Sequence, residues 1–412
     1  MELYDIFEQC SGVTTDSRKI SDGVLFVALR GANFDGNSFA ISALDKGALY
    51  AVVDNKDIVA ANPDYAERLY YVEDTLVALQ ALAAEHRERL ALPIIAIAGS
   101  NGKTTTKELV SRVLAERFEV YATRGNLNNH IGVPLTLLAM TRDTEFGVVE
   151  MGASAQKEIE LLCNIAKPNY GILTNIGNAH LEGFGGKQGI RKGKGELFDH
   201  LEEYGGIAFV PMEDVTLCDM AACHQNMVTE YYTRSIADGY KSHLSGHYNY
   251  YNIAAAVAVG GYFDIDPERI AAAIEGYIPD NNRSQESLTP RGNTLIIDCY
   301  NANPSSMEVA IANIASKAGS KLLILGDMLE LGEWSHEEHC RILELASQVK
   351  ESELVLVGAH FLKAAHALGI GATCCVDSAE AADWLDQSHI SDTTILLKGS
   401  RGIALERVID KL

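Results

Sequence analysis

A short segment, Gly99-Ser100-Asn101-Gly102-Lys103-Thr104-Thr105, joins the apolar run Ile94–Ala98 to a helix-forming stretch from Lys103 to Arg117. A glycine-rich turn between a buried strand and a helix gathers backbone N–H groups into one concave space. That space lies at the positive end of the helix dipole and cradles phosphate. Lys103 adds a charge for β- and γ-phosphates, and Thr104 a hydroxyl for Mg²⁺. Only two residues separate the glycines, fewer than in the usual G-x-x-x-x-G-K-[ST] form. The plainer reading is an ordinary strand-to-helix turn.

The chain around this loop alternates apolar strands with helices. The strands Ile94–Ala98, Phe146–Glu150, Tyr170–Ile176 and Ile207–Val210 predict a largely parallel sheet with helices on both faces. Ligands of such a sheet sit at the carboxyl ends of the strands. Leu295–Asp298, Leu322–Leu325, Leu354–Val357 and Thr394–Leu397 repeat the pattern. Before both lie shorter strand-like runs, Gly23–Leu29 and Ala48–Val53, and a helical stretch from Thr75 to Leu90. The fold class is therefore α/β in three domains, as 412 residues require more than one core. They are a small N-terminal α/β domain (1–85), a central phosphate-loop domain with a parallel sheet (86–285) and a C-terminal Rossmann-like α/β domain (286–412). The polar stretch Pro279–Gln285 reads as the linker.

Charge excludes one class of partner. A net −22 argues against nucleic acid, whose backbone rewards clustered Lys and Arg. A local nest of N–H groups with one lysine still accepts a phosphate. No signal peptide and no apolar run of about 20 residues is visible, so no membrane insertion and a cytoplasmic location are expected. The eight cysteines lack paired spacing and read as reduced, mostly buried thiols. A monomer is expected.

Several residues fall where ligands of such sheets bind. Glu150 closes a strand across from the phosphate loop, placed to hold a nucleotide-bound Mg²⁺ or to meet the N-terminus of a helix over Ala155–Ile165. His180 lies just past another strand end, as a ligand or a structural histidine. Lys194, next to Arg191 and Lys192, reads by itself as a solvated helix face. Asn249 and Asn252 open an alanine-rich helix, where they cap it or read the edge of a planar ring. Asn301-Ala302-Asn303-Pro304 follows the strand ending at Asp298, and a capping turn is the simpler reading.

Taken together, the chain resembles the Mur ligases. The carriers are Thr15-Asp16-Ser17-Arg18, Gly99–Thr105, Gly125–Leu135, Glu150-Met151-Gly152-Ala153, Thr174–Gly185, Lys194-Gly195-Glu196, Asp298–Pro304 and Lys398-Gly399-Ser400-Arg401. The short phosphate loop is that superfamily's form, and Tyr300–Pro304 is like the branch that adds D-alanyl-D-alanine. The resemblance implies a reaction in two halves. ATP phosphorylates the terminal carboxylate of UDP-N-acetylmuramoyl-tripeptide, and the amine of D-alanyl-D-alanine displaces phosphate from the acyl phosphate.

It also implies roles. Gly99, Ser100, Asn101, Gly102, Lys103, Thr104 and Thr105 hold ATP phosphates, with Thr104 and Glu150 on one Mg²⁺. His180 helps to hold a second Mg²⁺, and Lys194 matches the lysine that the family carbamylates with CO₂. Asn249 and Asn252 match the adenine side, while Arg283 and Asp298 match an arginine and an aspartate that meet ATP. Ser17 and Arg18 match the segment receiving the uridine end, and Asn128, Asn129 and His130 the substrate loop. Asn301, Asn303, Lys398 and Arg401 fall where the dipeptide and the peptide carboxylate are expected.

Three positions depart from the pattern: Tyr248 for a histidine in Gly246-His247-Tyr248-Asn249, Asn282 for a glycine before Arg283, and Asn37 for a histidine. Other functions stay open at this point. They are the sibling ligase that adds the third residue, a folylpolyglutamate-type ligase, and a nucleotide-binding switch that makes no bond. Whether the third residue of the tripeptide is meso-diaminopimelate or lysine is not encoded in these motifs.

Overall fold

A computed structural model describes residues 2–279 and 285–412. Three sheets follow one another along the chain. The first is four short parallel strands in the order Val13–Thr14, Leu25–Val27, Tyr50–Val53 and Leu69–Tyr71. From it the helix Thr75–Leu90 runs to the next domain. Asp74 caps its start by accepting from Leu76 and Val77 N–H, and Ala91 ends it in the left-handed region at φ 52°.

The central sheet has six parallel strands: Val228–Tyr232, Ile207–Pro211, Tyr170–Leu173, Ile94–Ala98, Phe146–Glu150 and Val120–Ala122. Side chains alternate between its faces, as period-two strand geometry requires. Ile95, Ile97, Val148 and Ile172 pack with Leu109, Val110 and Ile253 from the helices Lys103–Ala115 and Asn249–Tyr262. Ala96, Ala98, Val149 and Leu173 face Leu162 and Leu197 from the helices Glu158–Ala166 and Lys187–Tyr204. Strands later in the chain flank Ile94–Ala98 on both sides, so a crevice opens at its carboxyl end.

The C-terminal sheet runs Gln285–Leu288 (antiparallel), Thr294–Asp298, Thr394–Lys398, Lys321–Gly326, Ser352–Val357 and Thr373–Cys375. Its last strand in sequence inserts second from the parallel edge, which sets Lys398 opposite Asp298.

Several expectations needed adjusting. The strand from Tyr170 stops at Leu173, because Thr174 and Asn175 turn to bond the phosphate loop. The helix expected from Ala155 begins at Glu158, after Lys157 at φ 71°. The edge strands Val120–Ala122, Val228–Tyr232, Gln285–Leu288 and Thr373–Cys375 carried too little apolar pattern to be read in advance. All eight cysteines are free, but only Cys163, Cys299 and Cys375 are buried. No helix among the described residues is long and apolar enough to cross a membrane.

One arginine anchors the end of the linking helix Thr75–Leu90 on the central domain. Arg87 is buried, and its guanidinium donates to Ala166 O (2.9 Å), Lys167 O (3.1 Å) and Asn169 Oδ1 (3.1 Å). It thus satisfies the carboxyl end of the helix Glu158–Ala166. Arg87→Leu should lower stability by about 2–4 kcal/mol, with Arg87→Lys recovering part of it. An unchanged denaturant midpoint for the leucine variant would contradict this. Burial also holds the imidazoles of His86, His200 and His339 below their ordinary pKa. The unfolded chain takes up protons there below about pH 6.5 while the folded protein resists, so stability should fall as pH drops from 6.5. A urea midpoint that stays flat between pH 7 and 5.5 would be the opposite result.

Candidate active site

The phosphate loop keeps its shape because two of its residues can only be glycine. Gly99 (φ 131°) and Gly102 (φ 79°) lie in the left-handed region. A Cβ would come within 2.1 Å of Thr174 Oγ1 at the first and 2.6 Å of Asn252 Oδ1 at the second. Between them, Asn101 is fixed through its backbone. Its carbonyl accepts from Thr174 Oγ1 (2.6 Å) and Asn175 Nδ2 (3.0 Å), and its N–H donates to Asn175 Oδ1 (3.1 Å). Ser100 Oγ donates to Gly177 O (3.0 Å), and Lys103 Nζ arches back to Gly99 O (2.8 Å) and Ser100 O (3.0 Å). The helix beginning at Lys103 leaves its first-turn N–H groups, Thr104 and Thr105 included, without intrahelical acceptors. The loop borders a cleft of about 1010 Å³ between the central and C-terminal domains.

Two oxygens beside the loop fit a metal. Thr104 Oγ1 and Glu150 Oε2 are buried and have no hydrogen-bond partner among the described residues. The rest of Glu150 is held firmly: Asn128 Nδ2 donates to its Oε1 (2.7 Å), and its own N–H donates to Thr123 Oγ1 (3.0 Å). Mg²⁺ takes one or two protein oxygens and completes its shell with phosphates and water, so this donor set suits it. Glu150 does not meet the helix Glu158–Ala166. Glu196 does, accepting from Lys157 N–H (2.6 Å) and Glu160 N–H (3.0 Å). Among the described residues no three His, Cys, Asp or Glu side chains converge into a metal cage.

Lys194 is not on a solvated face. It is 1% exposed, its Nζ donates to Ala153 O (3.0 Å), and it lies over the Phe184 ring. Burial, and next the charge of Lys103, hold its ammonium well below the ordinary lysine range. His180 stands in the left-handed region (φ 56°), its Nδ1 2.6 Å from Glu330 Oε2. Glu330 belongs to the C-terminal domain, and its carboxyl is held below the usual range chiefly by His180.

The remaining residues divide by place. Asn249 and Asn252 border the cleft but cap nothing. Asn252 Oδ1 accepts from Thr106 Oγ1 (3.1 Å), and its amide donates to Asn249 Oδ1 (2.8 Å). Asp298 and Lys398 form an ion pair in the cleft (2.6 Å), and Lys398 also donates to Asn301 O (3.3 Å). Asn303 caps the helix Pro304–Ala315 by accepting from Ser306 N–H (3.0 Å). Asn128, Asn129 and His130 border the cleft, with Asn129 Oδ1 accepting from Ile131 and Gly132 N–H. Ser17, Arg18 and Arg401 are not among the cleft's lining. Arg18 pairs with Asp16 (2.8 Å), and Arg401 lies over the Tyr300 ring. Arg283 lies outside the described residues. Thr123 and Glu330 were not singled out from sequence, and Thr174, Asn175 and Glu196 stood only within the motifs Thr174–Gly185 and Lys194-Gly195-Glu196; their contacts depend on elements distant in the chain.

Matches to known proteins follow the three sheets. Residues 9–87 match the Mur ligase family, catalytic domain; 97–240 the Mur ligase middle domain; and 282–401 the Mur ligase, glutamate ligase domain. The UDP-N-acetylmuramoyl-tripeptide–D-alanyl-D-alanine ligase of Bacillus subtilis is 34% identical, the match covering 97% of this chain and 93% of that protein. A crystal structure of MurF from Acinetobacter baumannii superposes with a TM-score of 0.86 at 31% identity, covering 97% of this chain and 92% of that one. MurF from Thermotoga maritima in complex with ADP gives 0.83 at 25%, covering 100% and 98%. With the phosphate loop, the buried Glu150 and all three domain matches in one chain, this protein belongs to the Mur ligase family.

Proposed function

We propose that this protein is an ATP-dependent ligase that joins D-alanyl-D-alanine to UDP-N-acetylmuramoyl-tripeptide, a step in making the peptidoglycan precursor. The observation that carries this reading is the pair of buried, unpartnered oxygens, Thr104 Oγ1 and Glu150 Oε2, beside a phosphate loop in a chain so similar to ligases of that name. A carboxylate has no usable leaving group until it is phosphorylated. ATP therefore gives its γ-phosphoryl group to the tripeptide's terminal carboxylate, and ADP departs. The dipeptide's free amine attacks the acyl carbon, phosphate leaves with the bonding electrons, and the amine sheds a proton.

Two anions must meet in the first half, so neutralisation and positioning dominate. The loop N–H groups and Lys103 hold the phosphates. Thr104 and Glu150 would hold Mg²⁺, which would supply charge neutralisation for the phosphates. His180 stands at the domain boundary, where a second ion is expected. Lys194 is buried with its amine held toward the neutral form, which favours reaction with CO₂ to give a carbamate and a released proton. A carbamate supplies an anionic oxygen where an ammonium would repel a cation. The N-terminal domain would receive the uridine end, and Asn301 and Lys398 the dipeptide side. ATP as substrate fits a cytoplasmic enzyme. The sequence Tyr300–Pro304 supports the dipeptide over the amino acid added by the sibling ligase.

Incubation with ATP, Mg²⁺ and both substrates should release phosphate only when both are present and yield the mass of the pentapeptide product. ATP loss indifferent to the dipeptide would overturn the reading. Glu150→Gln should raise the Mg²⁺ concentration needed for half-maximal rate by about 10- to 100-fold, and an unchanged requirement would remove Glu150 from the metal. Lys194→Arg keeps a cation but cannot form the carbamate. It should lower kcat about 100-fold while ADP still binds, and near-normal turnover would refute a carbamate role.

A further inference from the structure

The boundary between the phosphate loop and the C-terminal domain is closed by a small set of neutral polar groups. Asn303 Nδ2 donates to Asn101 Oδ1 at 2.8 Å, and Asn101 Nδ2 approaches Asn303 Oδ1 at 3.5 Å. Beside this pair, Asn178 N–H donates to Ser305 Oγ at 2.9 Å. Gly177 fills the space between. A Cβ there would lie 3.0 Å from Ser305 Oγ and 3.2 Å from Asn101 Nδ2, tighter than ordinary contact.

The central-domain half of this seam is rigid. The backbone of Asn101 is held on both sides by Thr174 and Asn175, which leaves its side chain directed at the other domain. Ser100 Oγ bonds both the N–H (2.9 Å) and the carbonyl (3.0 Å) of Gly177. The C-terminal half is equally fixed, because Asn303 and Ser306 form a reciprocal capping box at the start of the helix Pro304–Ala315. Both Asn303 oxygens and its amide are thereby occupied: Oδ1 in the cap, the carbonyl by Ser306 Oγ, and Nδ2 on Asn101.

We propose that Asn101 and Asn303 are positioning residues that pin the C-terminal domain in register with the phosphate loop, Asn303 acting through this contact and not as a dipeptide ligand. The consequence is chemical. With the pin in place, the amine is presented to the acyl phosphate as soon as it forms. With the pin broken, the acyl phosphate waits. Water can then attack the acyl carbon, phosphate leaves with the bonding electrons, a proton is lost, and the carboxylate is regenerated at the cost of one ATP. The inference rests on the ligase reading above.

The test uses Asn303→Ser, Asn101→Ala, the double variant and Gly177→Ala in the full chain. Serine caps a helix as well as asparagine but is too short to reach Asn101, so the cap survives and the pin does not. In Asn303→Ser, amide formation should fall about three- to tenfold, the scale of one neutral hydrogen bond. The ratio of phosphate released to amide formed should rise above the wild-type value, with ADP affinity and thermal midpoint unchanged. The double variant should lose no more than either single one, and Gly177→Ala should raise the ratio without removing any polar group. Losses that multiply in the double variant, or a wild-type ratio in both Asn303→Ser and Gly177→Ala, would overturn the proposal. Hydrogen exchange of the ADP-bound protein reads the seam without turnover, so failure of the ligase reading leaves it decisive. Exchange at residues 301–306 should quicken in Asn101→Ala, and an unchanged rate contradicts the pin.

Discussion

Leaving a buried oxygen without a partner costs about 1–3 kcal/mol, and among the described residues this happens twice beside the phosphate loop, at Thr104 Oγ1 and Glu150 Oε2. Much of the central domain serves to hold these atoms open. The strand Phe146–Glu150 is buried along its whole length, which places the carboxylate at its end on the border of the cleft. Thr123 holds the Glu150 backbone and Asn128 one carboxylate oxygen, so the other can only face the cleft. Burial of the oxygens and their availability to a cation are the same fact.

The loop's own shape follows from a similar division of labour. Gly99 and Gly102 allow the chain to pass where a Cβ would strike Thr174 or Asn252, and the polar groups of Thr174 and Asn175 then bind the turn. These two residues follow directly on the strand Tyr170–Leu173, so the loop is fastened to the middle of the sheet. The same strand-end segment continues through Gly177 and Asn178 to the C-terminal domain, and on to His180 facing Glu330. One stretch of backbone thus connects phosphate binding, the domain seam and the second candidate metal ligand.

What the sequence could reveal follows from the range of each interaction. The three-domain α/β order, the central strands Ile94–Ala98 and Phe146–Glu150, and the loop were legible because they rest on local apolar pattern and glycine placement. Lys194 was misleading by itself, since Arg191 and Lys192 beside it are exposed; its burial comes from packing against Phe184 and Ala153. Only the family resemblance singled it out. The resemblance placed Asn303 on the dipeptide side while a capping turn was the simpler reading; its side chain caps the helix Pro304–Ala315 and also bonds Asn101, a partner about 200 residues away that no local pattern could reveal. Glu330 had no local signal, and Glu196 stood in the motif Lys194-Gly195-Glu196 without a role, because their partners lie on other elements. The edge strands were silent for the usual reason, that half-exposed short strands need little apolar pattern.

The most direct test of this account is a crystal structure with ADP and Mn²⁺, located by its anomalous signal. The account predicts the ion within about 2.0–2.3 Å of Thr104 Oγ1, with the Glu150 carboxylate bound to it directly or through one water. An ion seated on the phosphates with both of these oxygens beyond its first and second shells would contradict it.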